Sequence, residues 1–597
     1  MNMSIKERIS ALRDIMKSEN LDAFIFPSTD PHNGEYIPEH WEGRKWISGF
    51  NGSAGIAVVT QSKAALWTDS RYFIAAAENL KGSEFELMKE KVPGTPSISK
   101  WLGVNLAYVD NPSVGIDGMV NSQTTVSSLI YELRNEGGIT LRTNFDPLNF
   151  IWKDRPAIPE NKIKIHSTEY AGEPSHVKIE RIRENLHKNH ACGVLISALD
   201  DIAWTLNMRG NDVHCNPVFV SYLLIDPVGA TLFINSKKLN AETTEYLINE
   251  GVTVDEYDNV KNRLKQYSEY NILLDPDEIN YTLYNMVGCK EIVNGKSPAS
   301  YMKTIKNTAE IKGFKNAMTR DGVAMVKFLM WLKPAVARGG QTEMSIDKKL
   351  TGLRAEQNLY RDISFDTIAA YQEHGAIVHY EATKETDIPL ISKGLILIDS
   401  GAQYLDGTTD ITRTIALGDV SEEQKKIYTL VLKGHIQLEM LKFPNGASGT
   451  QLDAIAKKDI WREGMNYLHG TGHGVGSYLN VHEGNHQIRM EWKPAPLLSG
   501  MTVTDEPGLY LSGRFGVRIE NTLLIKQYKT TEFGEFLEFE PLTLCPIDTV
   551  PIVKKMMTDE EILWLNQYHR MVYEKLSPYL NSEEKEWLIA STKSISK

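Results

Sequence analysis

The stretch GLILIDSGAQYLDGTTDITRTIAL, residues 394–417, reads as a β-hairpin with apolar, β-branched arms and a turn near Tyr404 to Gly407. Asp399 and Asp410 lie on either side of that turn. If the arms pair symmetrically, the two carboxylates face each other with Cβ atoms about 4.5–5.5 Å apart. Like charges in a ladder repel and Asp is depleted in strands, so a compensating cation is the physical explanation. MTVTDEPGLYL (501–511) and GVRIENTLLI (516–525) repeat the arrangement, with Gly513 midway between Glu506 and Glu520. An ion pair with Arg413 or Arg518 would explain one such acid, but not both hairpins together. Four carboxylates and one imidazole match a pair of divalent ions about 3.5–4 Å apart.

The imidazole comes from LHGTGHGVGSYLNVHEGNH (468–486), where His469, His473 and His482 share a glycine-dense stretch that permits close backbone approach. His379, in GAIVHYEA just before the first hairpin, is a further candidate. Oxygen-rich ligation with a single His favours Mn, Co or Zn at an open catalytic centre over a closed structural zinc site. HEGNH at 482–486 also spells HExxH, but that chemistry needs both histidines on a helix, and Gly484 and Asn485 are poor helix residues. The alternate glycines from Gly470 to Gly476 lack the spacing of a dinucleotide fingerprint, and NGSAG at 51–55 reads as a turn.

Outward from these motifs the chain changes character. LDAFIFP (21–27), AGIAVVT (54–60) and AALWTD (64–69) are short apolar runs between helical patterns, the mark of an α/β domain. A second cycle follows a basic amphipathic helix near His176 to His190: ACGVLIS, IAWTLNMRG, VFVSYLLID and ATLFINSKK. Trp46 and Gly49 align with Trp204 and Gly210, and LWTDSRYF with LFINSKKL, as in a diverged duplication. From about Thr304 a long helical stretch and glycine-separated strands indicate a larger α+β domain, ending in the helical EEILWLNQYHRMVYEKLSPYL. The expected division is 1–160, 161–303 and 304–597, with a C-terminal extension from about 535.

The 597 residues exceed one hydrophobic core. A net charge of -12 opposes generic attraction to nucleic acid or anionic membranes. Four scattered cysteines with no CxxC pair fit a reducing compartment, no stretch approaches a membrane span, and the N-terminal segment reads as an amphipathic helix. These features predict a cytoplasmic protein.

GAIVHY, DSGAQYLDGTTDITRT, YLHGTGHGVGSYLNVHEG, TDEPG and GVRIENT, followed by FEPLTLCPI, resemble the M24 or pita-bread peptidases, specifically the cytosolic three-domain aminopeptidase P family. The resemblance covers the whole catalytic domain, and the repeated α/β domains resemble the family's two creatinase-like N-terminal domains. It implies Asp399 as ligand of one metal, His473 and Glu506 as ligands of the other, and Asp410 and Glu520 bridging both. It makes Glu506 the proton shuttle, His379 and His482 the groups that contact substrate and stabilise the tetrahedral intermediate, and His469 a supporting histidine. Where the family pattern has Asn before Gly375, this chain has Glu373 and His374. Arg71 in TDSRYF is open between a structural role and a place at the substrate entrance.

The implied activity is metal-dependent removal of the residue that precedes a penultimate proline. Two divalent ions, Mn²⁺ foremost with Co²⁺ or Zn²⁺ as alternatives, would supply a bridging hydroxide and polarise the scissile carbonyl. The implied assembly is a homodimer through the catalytic domain. A prolidase acting on Xaa-Pro dipeptides is the nearest rival. A metal-free peptidase-like interaction module is the rival from another class, and retention of all five ligands argues against it.

Overall fold

The computed structural model describes residues 3–597. They form two compact units, one running to Ile165 and including Glu173–Ala299, the other made of His166–Gly172 and Ser300–Lys597.

The first unit contains two six-stranded mixed sheets. In one, the strands Ala23–Phe26, Ile56–Thr60, Ala64–Thr68, Phe85–Lys89, Ser113–Ile116 and Thr140–Arg142 stand in the spatial order 4-3-2-1-5-6 by their rank in sequence. In the other, Val194–Ile196, Ser221–Ile225, Ala230–Ile234, Val252–Asp255, Asn271–Leu274 and Glu291–Asn294 repeat that order. The pairing senses also repeat: the first strand is antiparallel to the second and parallel to the fifth in both sheets. Leu66 and Leu232 occupy the same place in the two third strands, and Trp46 and Trp204 each lie on a helix between the first and second strands. The duplication read from the sequence is therefore present in the topology. Central strands covered on both faces explain the uninterrupted apolar runs.

The second unit starts from α1 (Thr308–Arg338), whose N-terminus is closed by reciprocal bonds between Asn307 and Glu310, and α2 (Glu343–Ala355). Next come β1 (Ile368–Tyr371), β2 (Leu395–Ser400), β3 (Ala402–Tyr404), β4 (Gly407–Thr408) and β5 (Ile411–Ala416). β2 lies between β1 and β5, antiparallel to both, and its residues and those of β5 are all buried. Phe328 and Leu332 of α1 and Ile346 and Leu350 of α2 pack against Ile396, Ile398, Ile411 and Ile415. This packing fixes one face of the hairpin and leaves the alternate face for Asp399.

Further along are α3 (Glu422–Glu439), α4 (Gly449–Arg462), β6 (Gly472–Gly474) and β7 (Glu483–Ile488). They are followed by β8 (Thr502–Asp505), β9 (Gly508–Leu511), β10 (Phe515–Arg518), β11 (Asn521–Thr531), β12 (Gly534–Pro541) and α5 (Asp559–Leu576). β11 pairs with both β8 and β12. Leu565, Tyr568 and Val572 of the tail helix α5 share a core with Ile427, Leu430 and Val431 of α3 and with Val517 and Ile519. The tail is thus part of this unit's interior, as its amphipathic pattern implies.

Candidate metal centre

The second hairpin has the register expected of it. Asp505 pairs with Asn521 and Gly508 with Arg518, so Glu506 and Glu520 fall opposite each other where one ladder gives way to the next. Gly513 makes the turn at φ 69°, a left-handed conformation that suits glycine.

The first hairpin departs from symmetric pairing of its acids. The turn closes at Tyr404↔Gly407, and counting back along both strands brings Asp399 opposite Thr412, not Asp410. Asp410 precedes Thr412 by two residues, so the acids are diagonal neighbours on one face instead of a directly opposed pair. Thr412 fills the place between them: its Oγ1 donates to Glu520 Oε2 at 2.7 Å, and its carbonyl accepts from the Glu520 N–H at 3.0 Å. The two hairpins are stitched together at this point.

His473 enters on β6, the strand paired with β7. A Cβ on its neighbour Gly472 would lie 1.9 Å from the Thr504 carbonyl oxygen, so only glycine allows β6 this close to β8. The His473 ring places Nδ1 2.8 Å from the Gly474 carbonyl, which selects the tautomer that donates from Nδ1. Nε2 is left facing Asp410 Oδ2 at 3.4 Å and Glu506 Oε1 at 3.5 Å. Ligand atoms of Asp410, His473 and Glu520 all lie within 4.8 Å of one another.

Burial sets the electrostatics. It pushes Glu506 up to about 7 against the pull of His473 and Arg518. Burial, with repulsion from Asp410, Asp399 and Glu506, raises Glu520 well above the carboxylate range. Asp399 is raised by burial and drawn back by Arg518. Burial would lower His473, but its bond to Asp410 and the charge of Glu506 outweigh that and hold it at about 9. Arg518 meets Asp399 Oδ2 through Nη2 at 2.7 Å and Nε at 3.1 Å. Asp399 Oδ1 is buried and has no hydrogen-bond partner among the described residues. A cluster of carboxylates with one arginine, an imidazole nitrogen aimed inward and an orphaned carboxylate oxygen fits a pair of divalent cations.

In the sequence Arg518 reads only as an ion-pair partner, and Tyr510 is not singled out. Arg518 Nη1 donates to the Tyr510 hydroxyl at 2.6 Å, and that hydroxyl is 2.8 Å from His469 Nε2, so a chain of contacts runs from His469 to Asp399. The signal was available: Arg518 and Tyr510 lie an even number of residues from Glu520 and Glu506, hence on the same strand faces. The His482 ring stands edge-on to His473 at 4.3 Å, and His379 follows Val378, whose carbonyl accepts from Arg518 Nη2 at 3.3 Å. Glu483 to His486 of HEGNH lie on β7 with His482 just before it, and His486 is buried with Nε2 2.8 Å from the Thr502 carbonyl, which removes the helical HExxH reading. His374 is anchored on Glu343, at 2.9 and 3.0 Å from its two oxygens, and stacks on Tyr380 beside His379. In the first unit Arg71 is clasped by Asp69 at 3.0 and 2.8 Å and by Glu35 at 3.4 Å.

Comparison with known proteins agrees with this geometry. Residues 312–527 match metallopeptidase family M24 and 535–595 match the C-terminal region of peptidase M24. Residues 8–141 and 154–310 match creatinase/prolidase N-terminal domains. Xaa-Pro aminopeptidase 1 of Dictyostelium discoideum is 39% identical, over 98% of this chain and 96% of its own. A probable Xaa-Pro aminopeptidase P of Aspergillus niger is 38% identical over 99% of each. The crystal structure of X-prolyl aminopeptidase from Caenorhabditis elegans, described as a cytosolic enzyme with a di-nuclear active site, superposes with a TM-score of 0.95 at 32% identity. It covers 99% of this chain and 100% of that one. A prolidase from Pyrococcus horikoshii, at 26% identity and a TM-score of 0.50, covers 63% of this chain. Similarity along the full length, joined to two carboxylate hairpins and an inward imidazole, makes this chain a member of metallopeptidase family M24, with creatinase-type N-terminal domains.

Proposed function

We propose that this chain is a Xaa-Pro aminopeptidase, which removes the N-terminal residue from peptides with proline in second position. The observation that carries the reading is the convergence of Asp399, Asp410, His473, Glu506 and Glu520 from two hairpins and one glycine-flanked strand, with Arg518 as the cation meeting Asp399. The reading assigns 1–160 and 161–303 to the N-terminal domains and 304–597 to the catalytic domain, with its extension from about 535. Full-length similarity to Xaa-Pro aminopeptidases, against 63% coverage by the Pyrococcus prolidase, supports this substrate class over dipeptides.

Asp399, Asp410, His473, Glu506 and Glu520 would together hold the two cations. When bound, such a pair lowers the pKa of water and polarises the scissile carbonyl. Glu506, which burial holds near neutrality, takes the proton of the attacking water and passes it to the proline nitrogen as the C–N bond breaks. His379 and His482 donate to the carbonyl oxygen as charge develops there, a role worth about 2.7–4 kcal/mol per donor. His469, through Tyr510 and Arg518, keeps Asp399 oriented. Mn²⁺ is the proposed metal, because the donors are mostly oxygen and the site must stay open. Among the described residues no helix is long and apolar enough to cross a membrane. A cytoplasmic location is proposed because all four cysteines are free thiols, as in a reducing compartment, and the similar Caenorhabditis elegans enzyme is described as cytosolic. The proposed assembly is a homodimer through the catalytic domain.

Exhaustive chelation should abolish hydrolysis, with Mn²⁺ restoring it best, and metal binding should depend on pH. His473 and Glu506 both sit above their ordinary 6.5 and 4.5, so the protons they hold stabilise the cation-free fold at low pH. That contribution is lost as pH rises through about 7 and then about 9. Cations must displace those protons, so the rise in Tm on adding Mn²⁺ should be larger at about pH 8.5 than at about pH 6. A pH-independent rise in thermal scans, or full activity in metal-free protein, would count against the centre.

Glu506→Gln should lower kcat by at least about a hundredfold while the protein stays folded, because an amide cannot carry the proton. Near-normal turnover with both metals bound would remove Glu506 from that role. Light scattering should give twice the 67.3 kDa chain mass; a monomer at micromolar concentration would refute the dimer. Finally, X-Pro-Y tripeptides should be cleaved after X with higher kcat/KM than X-Pro dipeptides, and Ala in place of Pro should lower kcat/KM at least about tenfold, or 1.4 kcal/mol. Preference for dipeptides would point to a prolidase.

A further inference from the structure

Behind Glu506 and Glu520 lies a polar layer that the chemistry above does not use. His435 and Glu439, one turn apart on α3, have fully buried side chains. His435 Nδ1 lies 3.1 Å from Asp505 Oδ2, and its Nε2 lies 3.2 Å from Glu439 Oε1. The same Glu439 oxygen accepts from Asn521 Nδ2 at 2.8 Å. Asn521 Oδ1 in turn accepts from Arg413 Nη2 at 2.9 Å, and Arg413 Nη1 donates to the Glu520 carbonyl at 2.6 Å.

Position explains this layer better than stability does. Buried ionisable groups can often be replaced by apolar residues of similar volume with no loss of stability. Asp505 and Asn521, however, are direct partners across the β8–β11 ladder, and they are the residues next to Glu506 and Glu520. One helix face therefore holds both sides of the last rung before the two acids. A change in the spacing of that rung moves one carboxylate against the other.

We propose that His435, Glu439 and Asn521 are positioning residues that set the separation of Glu506 and Glu520, and with it the capacity of the centre for its second cation. The proposal rests on the two-cation reading of the site. None of the three side chains is assigned a contact with substrate or cation; they act through Asp505 and the backbone of β8 and β11.

The test uses the full chain, stripped of metal and titrated with Mn²⁺ by calorimetry, together with kcat and KM on an X-Pro-Y tripeptide. Glu439→Ala should weaken the second Mn²⁺ and lower kcat by about tenfold or more, with KM little changed, as expected when an outer partner of a metal ligand is lost. Glu439→Gln should restore both, because an amide oxygen in the place of Oε1 keeps the bond from Asn521 Nδ2. A merely structural role would move thermal stability without this split or this rescue. If Glu439→Ala does not fold, Asn521→Ser carries the test, with the same loss expected. Two Mn²⁺ bound as tightly as in the parent by either folded variant, or failure of Glu439→Gln to rescue a folded Glu439→Ala, would overturn the clamp alone. A parent protein that takes up no second Mn²⁺ would overturn the two-cation reading, and the clamp with it.

Discussion

Repulsion among buried carboxylates is the constraint around which the catalytic unit is arranged. Two like charges about 4 Å apart repel by about 4 kcal/mol even at an effective dielectric of about 20. A whole domain is stable by only about 5–15 kcal/mol. Asp399, Asp410, Glu506 and Glu520 cannot all remain ionised in this interior on the strength of Arg518 and His473 alone. Protons can relieve the strain, as the raised Glu506, Glu520 and Asp399 indicate, and so can cations. The fold's contribution is to make the relief by cations geometrically available.

That contribution comes from rigid, short-range devices. Each acid is carried on or beside a buried strand, so its position follows from ladder register and not from a flexible loop. Thr412 ties one hairpin to the other through its side chain and its carbonyl, and Gly472 lets the histidine strand lie against β8. The arginine chain from His469 through Tyr510 to Asp399 orients the acid from one side. The His435–Glu439–Asn521 layer approaches the other pair from behind. Catalytic geometry in such a site is supported from the backbone outward.

Much of this was legible in the sequence, and the failures have physical causes. Glu506 and Glu520 face each other as read, because their turn is symmetric about Gly513. Asp399 and Asp410 do not, because the first turn is centred so that Asp399 meets Thr412, and a shift of two residues keeps every side chain on its expected face. Hydrophobic alternation is blind to that error. The duplicated sheets were visible through Leu66 and Leu232, since apolar strand positions survive divergence when topology does. Arg518 was legible only as a generic ion-pair partner, and its reach to Tyr510 depends on the β9–β10 pairing. His435 and Glu439 read as an ordinary i,i+4 pair on a helix; their meaning depends on the strands α3 packs against, which lie far away in sequence.

The tail belongs to the same argument. α5 is separated from the ligand hairpins by more than thirty residues, yet its Tyr568 hydroxyl receives Arg413 Nη2 at 2.9 Å and donates to the Thr543 carbonyl at 2.9 Å. Arg413 is fully buried and also donates to the Glu520 carbonyl, so the tail helix closes the cage of an arginine whose neighbour is a ligand candidate. A buried guanidinium that lost one of these acceptors would be left with unsatisfied donors, a cost of about 1–3 kcal/mol per group or more when charged. The C-terminal segment is therefore coupled to the centre through charge satisfaction as well as through the core that Leu565 and Val572 share with α3. The structural extent of the active site is set by where its buried charges find their last partners, and in this chain that boundary lies in the tail helix.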